Sequence, residues 1–152
     1  MRAVSATQSS MWGGGSYHAE KCIDGVISGG TSNLCHTNGD IGEKTPWLAL
    51  DFGAVVSVEK VVINNRDDCC GDRLRDAEIR VANKLPFSSQ EMYRGGELLG
   101  IFKGPASNGE EVTLTSSTEL RGRFVILQID STGPLGNGII NLHEVTVWGK
   151  PA

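Results

Sequence analysis

The feature that most constrains this chain is a succession of short runs rich in β-branched residues, several alternating apolar with polar positions. The runs are "WLALDFG" from Trp47, "VSVEKVVINNR" from Val56, "DAEIRVAN" from Asp76, "ELLGIFKG" from Glu97, "EEVTLTS" from Glu110, "RFVILQID" from Arg123 and "HEVTVWGK" from His143. Each predicts a strand rather than a helix. In "AEIRV", Ala77, Ile79 and Val81 share one face and Glu78 and Arg80 the other; Val145 and Val147 repeat the pattern near the end. Twenty glycines in 152 residues supply turns between the runs. The expectation is an all-β fold, an antiparallel sandwich or barrel. Residues 1–45 read mostly as loop, broken by "GGG", "SGG" and "NGD", with a short helical turn in "YHAEKCIDG". Without an internal repeat, linker or low-complexity segment, residues 1–152 read as one domain.

The net charge of −4 disfavours a nucleic-acid partner. No apolar run reaches the length of a membrane helix. The opening "MRAVSATQSSMW" lacks the apolar centre of a signal peptide, which fits a cytosolic chain or a mature chain restarted with methionine. Four cysteines, Cys22, Cys35, Cys69 and Cys70, form no CxxC pair and no zinc spacing. In an oxidising compartment two disulfides would use all four, so the expectation is a secreted, extracellular protein. No N-x-S/T sequon adds a second sign of secretion.

"NNRDDCCGDRL", from Asn64 to Leu74, is the densest concentration of chemistry. Adjacent cysteines can bond to each other, forming a rigid ring with a small, polarisable apolar face. The geometry is awkward, because disulfide Cα atoms usually lie about 4.4–6.8 Å apart and neighbouring Cα atoms only about 3.8 Å. The alternatives are distant partners for each cysteine, or free thiols serving redox or metal chemistry. Arg66 and Arg73 bracket the pair, each with five donors in a fixed fork. Beside an apolar plate, two such forks suit a ligand rich in hydroxyls, or an anion. The plain alternative is surface pairing with Asp67, Asp68, Asp72 and Asp76. Asp24 in "CIDG" and Glu144 in "LHEVTVWG" would come together if the first and last segments of a sandwich meet. With backbone carbonyls they would form an oxygen cage for Ca²⁺; otherwise Asp24 caps a turn and Glu144 lies on the surface. His36 reads as an exposed loop histidine, and the side chains of His18 and His143 carry no role. No GxSxG, HExxH or phosphate loop is present, and the acids around Cys69 and Cys70 would raise a thiol pKa, so the chain reads as a non-enzyme.

His36 together with Arg66-Asp67-Asp68-Cys69-Cys70-Gly71-Asp72-Arg73 resembles the signature of the F-type lectins, the fucolectins. "ATQSS", "AEKCIDG", "CHT", "TPWLALDFG", "VVINNR", "AEIRV", "GRFVILQI" and "LHEVTVWG" extend the resemblance over nearly the whole chain. It implies an antiparallel β-sandwich of jelly-roll, discoidin-like type that binds terminal L-fucose on glycans. His36, Arg66 and Arg73 would donate hydrogen bonds to the sugar, and a Cys69–Cys70 disulfide would pack on its apolar edge. A structural Ca²⁺ would be held by the side chains of Asp24 and Glu144 and the carbonyls of Lys21, Val26, Asn33 and His143. It would stiffen the loop that presents His36. The spacer from His36 to Arg66 is longer than the family pattern, Asp72 replaces a glutamate, and His143 stands where some members have cysteine. From that exchange and Cys22 in "CIDG", the resemblance implies a Cys22–Cys35 bond. In "SSMWGGGSY", Met11 or Trp12 would stack on a second sugar. Fucosylated microbial or host surfaces, innate immunity, and homo-oligomers for avidity complete what the resemblance implies. The rival expectation is a discoidin-like module binding protein or a non-fucose glycan.

Overall fold

The computed structural model describes residues 1–13, 16–136 and 138–152. Its strands are β1 (Ser5–Gln8), β2 (Cys35–His36), β3 (Trp47–Asn65), β4 (Ala77–Ala82), β5 (Glu97–Phe102), β6 (Glu111–Ile129) and β7 (Asn141–Pro151), and every pairing is antiparallel. Among the described residues, helix is confined to 3-10 turns at Ala19–Cys22, Gly30–Asn33, Gly39–Ile41 and Gly71–Arg73.

The two longest strands make the architecture. The first part of β3, through Asp51, pairs with β1 and with the end of β6; its second part, from Val56, pairs with β7 and with the start of β6. Between them the register shifts, and Gly53 takes φ +75° while its N–H donates to Asp51 Oδ1 at 2.7 Å. A left-handed residue bends the ribbon here at no steric cost. Strands that switch layers by such bends close the corners of a sandwich. One layer holds β1, β5, β4 and the outer halves of β6 and β3; the other holds β2, β7 and their remaining halves.

The sequence predicts four separate strands where β3 and β6 each run unbroken. "GA" at Gly53–Ala54 and the polar stretch at 116–122 look like breaks, but both strands bend in step and keep pairing. β1 and β2 went unpredicted because four and two residues show too little alternation.

Leu48, Leu50, Val58, Val61, Ile63, Ile79, Leu127, Ile129, Leu142 and Val147 fill the space between the layers, each at most 2 % exposed. A fully buried side chain of this size stabilises by about 1.5–3 kcal/mol. A smaller cluster of Ala49, Ala82, Phe124 and Ile126 lies apart from it, with Trp47 and Tyr93 packed against it. Cys22 bonds Cys35 with Cα atoms 5.5 Å apart, tying the Ala19–Cys22 turn to β2.

Candidate functional site

β2, β7 and β3 are neighbours in that order, and their ends carry the site. His36 closes β2, and Arg66 immediately follows β3. The chain then turns through Cys69–Cys70 into the 3-10 turn Gly71–Arg73. Both ends of this loop are anchored. Asn65 Nδ2 donates to the carbonyls of Gly71 and Ser107, both at 3.0 Å, and Leu74 is 2 % exposed. Gly71 allows a close approach: a Cβ there would stand 2.5 Å from the backbone of Ser107 and Asn108.

Cys69 and Cys70 are bonded to each other, with Cα atoms 3.8 Å apart and Cys70 at φ +63°. With both disulfides formed there is no free cysteine. This removes the thiol and distant-pairing alternatives. The pair is half-buried.

Arg66 is buried, and Asp68 holds it by a fork: Nε to Oδ1 at 2.7 Å and Nη2 to Oδ2 at 3.1 Å. The bond keeps the Asp68 carboxyl below the usual carboxylate range and leaves Nη1 of Arg66 unused. The surface pairing weighed for the arginines is thus half right, for Arg66 uses it as a brace. Arg73 is half-buried and makes no ion pair among the described residues.

His36 is buried rather than exposed. Its Nδ1 lies 2.7 Å from the carbonyl of Thr37, which only accepts, so Nδ1 carries the proton. Burial first, then the charges of Arg73 and Arg66, lower its pKa below 6.5. The ring is neutral at pH 7, and its Nε2 is an acceptor. Trp12 stacks on the ring at 5.2 Å and 28°, and Tyr17 leans on it at 5.6 Å. Two of the three glycines after Trp12, Gly14 and Gly15, lie outside the described residues. Met11 is half-buried beside the exposed Trp12.

Two cationic forks share a loop with the disulfide, and a neutral acceptor lies within reach of both their charges. A hydroxyl donates one hydrogen bond and accepts two, so it satisfies such a set. An ionised carboxylate has nothing to donate to Nε2.

Behind this site lies a second group. Glu144 is 4 % exposed, not on the surface, and accepts a hydrogen bond from Gly25 N–H. Burial foremost, with the Asp24 charge adding to it, pushes its pKa up to about 7. Asp24 also accepts from Val26 N–H at 2.9 Å. Two crowded carboxylates, one of them buried, are a donor set that a cation would stabilise. Among the described residues no three His, Cys, Asp or Glu side chains cluster, so other ligands would have to be backbone oxygens. That all-oxygen donor set suits Ca²⁺. Lys21 and Val26 lie in the same loop, and Lys21 Nζ reaches Ser32 O at 3.0 Å.

His143 corrects the sequence reading most. Its side chain is fully buried, with Nδ1 donating to Asn33 O at 2.7 Å and Nε2 lying 2.9 Å from Asp67 Oδ1. Asp67 also accepts from the N–H groups of Gly29 and Gly30, at 3.2 and 2.9 Å. These bonds, His143 foremost, hold the Asp67 carboxyl down at about 2. The Asp24 loop is thereby latched to the residue next to Arg66. Only the one-residue bulge between Asn64–Glu144 and Asn65–Leu142 gives His143 this position, and no sequence signal marks it.

The family model described as "NedA-like, galactose-binding domain" matches residues 21–125. A pentraxin fusion protein of Xenopus laevis is 33% identical over 135 residues, covering 88% of this chain and 29% of that protein. A fucolectin of Anguilla anguilla is 29% identical over 150 residues, covering 97% of this chain and 89% of its own. A solved F-lectin (fucolectin) from the serum of the striped bass Morone saxatilis superposes with TM-score 0.82 at 27% identity, covering 97% of this chain and 47% of that one.

Proposed function

We propose, from the premise that the chain belongs to the F-type lectin (fucolectin) family, that it is a lectin for terminal L-fucose on glycans and catalyses nothing. What supports this is one loop that holds Arg66, Arg73 and the Cys69–Cys70 bond, with the charges of both arginines felt at a neutral His36. Nη1 of Arg66 and the free fork of Arg73 donate to sugar hydroxyls and the ring oxygen. His36 accepts from a hydroxyl through Nε2, where the sequence reading had it donating. The disulfide takes the C–H face and methyl group, which need no hydrogen bonds.

Asp24 and Glu144 would hold Ca²⁺ with the carbonyls of Lys21, Val26, Asn33 and His143. The ion supplies the positive charge that two crowded carboxylates lack. The Asn33 carbonyl, already accepting from His143, keeps a second lone pair for it. Trp12, exposed beside His36, offers its face to the next sugar. Residues 1–152 act as one lectin domain. Two disulfides suit a secreted protein. Among the described residues no helix is long and apolar enough to cross a membrane. One monosaccharide offers few atoms, so a single site should bind with a dissociation constant of roughly 10⁻⁵–10⁻³ M. Fucosylated microbial or host surfaces, the targets of an innate-immune role, would then be held through several sites at once, in homo-oligomers or longer chains.

Isothermal titration with L-fucose, against D-galactose, tests the reading. Saturable fucose binding, abolished in a folded Arg66→Ala variant, is expected. Silence with fucose from folded, Ca²⁺-loaded protein, or full affinity in Arg66→Ala, would overturn it.

A further inference from the structure

Between the two strand ends that carry His36 and Arg66 stands a third. Asn141 opens β7 and pairs directly with His36 across β2. On the other side of β7, Asn65 pairs with Leu142, so Arg66 comes level with Asn141. Directly paired residues of antiparallel strands point to the same face. Cys35 and Leu142, the preceding pair, point into the core, so His36 and Asn141 point away from it. The order across three strand ends is His36, Asn141, Arg66.

Asn141 is 2 % exposed, and its Nδ2 has no hydrogen-bond partner among the described residues. A buried amide donor left unpaired is destabilising, and native structures keep few of them without a reason. Local structure supplies none: the ladder uses only the backbone of this residue, and a valine or threonine would suit a strand better. Its neighbours on both sides are His36 and Arg66, the polar groups assigned above to the sugar.

We infer that Asn141 is a fourth polar contact of the sugar site, donating from Nδ2 to the hydroxyl that lies between His36 and Arg66. The inference rests on the lectin reading of that site. The stoichiometry closes at one oxygen: a hydroxyl that donates to His36 Nε2 can accept from Arg66 and from Asn141. Asn141 would thus select for a hydroxyl at that position of the deoxyhexose.

The test is titration calorimetry of the unsubstituted protein and of Asn141→Ala with L-fucose and with L-fucose analogues each lacking one hydroxyl, beside thermal melts of both proteins. The variant should bind L-fucose about tenfold more weakly, and melt no lower, since the unpaired donor is gone. One deoxy analogue should bind both proteins equally. A folded variant with undiminished fucose affinity would overturn the assignment while leaving the lectin reading intact. So would a variant that melts lower and binds as well as its parent, which is the signature of a structural role. Silence of the unsubstituted protein toward L-fucose would overturn the lectin reading and this assignment together. If Asn141→Ala fails to fold, Asn141→Ser is judged by the same measures.

Discussion

The carbonyl of Thr37 decides what His36 can do. By taking the Nδ1 proton it leaves Nε2 as the acceptor, and burial beside two arginines keeps the ring uncharged. A histidine whose folded pKa lies below its unfolded value contributes stability above that unfolded value and loses it as pH falls through the folded one. Sugar binding follows the same sign, since only the neutral ring accepts. Fucose affinity should be flat above about pH 6.5 and fall on acidification, measured by titration between about pH 5 and 8. His36→Gln, which keeps an acceptor without titrating there, should flatten the profile. Much of this site was legible because residue type carries chemistry: two arginines around adjacent cysteines can be read in any fold. The brace of Asp68 and the side-chain role of His143 could not be read so, and neither could the burial of Glu144. Their roles depend on burial, a brace and a bulge, which arise from strand pairing rather than from neighbours in sequence.

Among elements, the turn Gly30–Asn33 and the loop after β3 behave as one unit, joined through Asp67 and His143. Asp67→Ala should cost about 1 kcal/mol of stability, the hydrogen bonds being discounted for the exposure of this carboxylate. Hydrogen exchange should quicken first at the amides of Gly29 and Gly30, and fucose affinity should drop as Arg66 loses its supported neighbour. Unchanged exchange there would show that the latch does not hold the turn. Added Ca²⁺ should raise the melting temperature by mass action on the folded state, and Glu144→Gln should abolish the rise. The alternation of "AEIRV" and "EVTVW" made β4 and β7 readable. The continuity of β3 and β6 was not, because glycine and short polar stretches mark a bend within a strand and a turn between strands alike.

At the scale of the molecule, β3 and β6 belong to both layers, so neither layer is complete without the other. Ile63, with no exposed surface and neighbours on both sides, sits where the layers share a core. Ile63→Ala should cost about 2–5 kcal/mol and lower the melting temperature by roughly 5–15 °C, with fucose affinity unchanged below the transition. A loss of affinity in step with stability would mean that the site feels the core directly. The same layering orders events during synthesis. His36 and Arg66 leave the ribosome long before β7, and β7 brings Asn141, His143 and Glu144, the last pieces around both loops. A growing chain therefore lacks the residues that complete both loops until its seventh strand has docked.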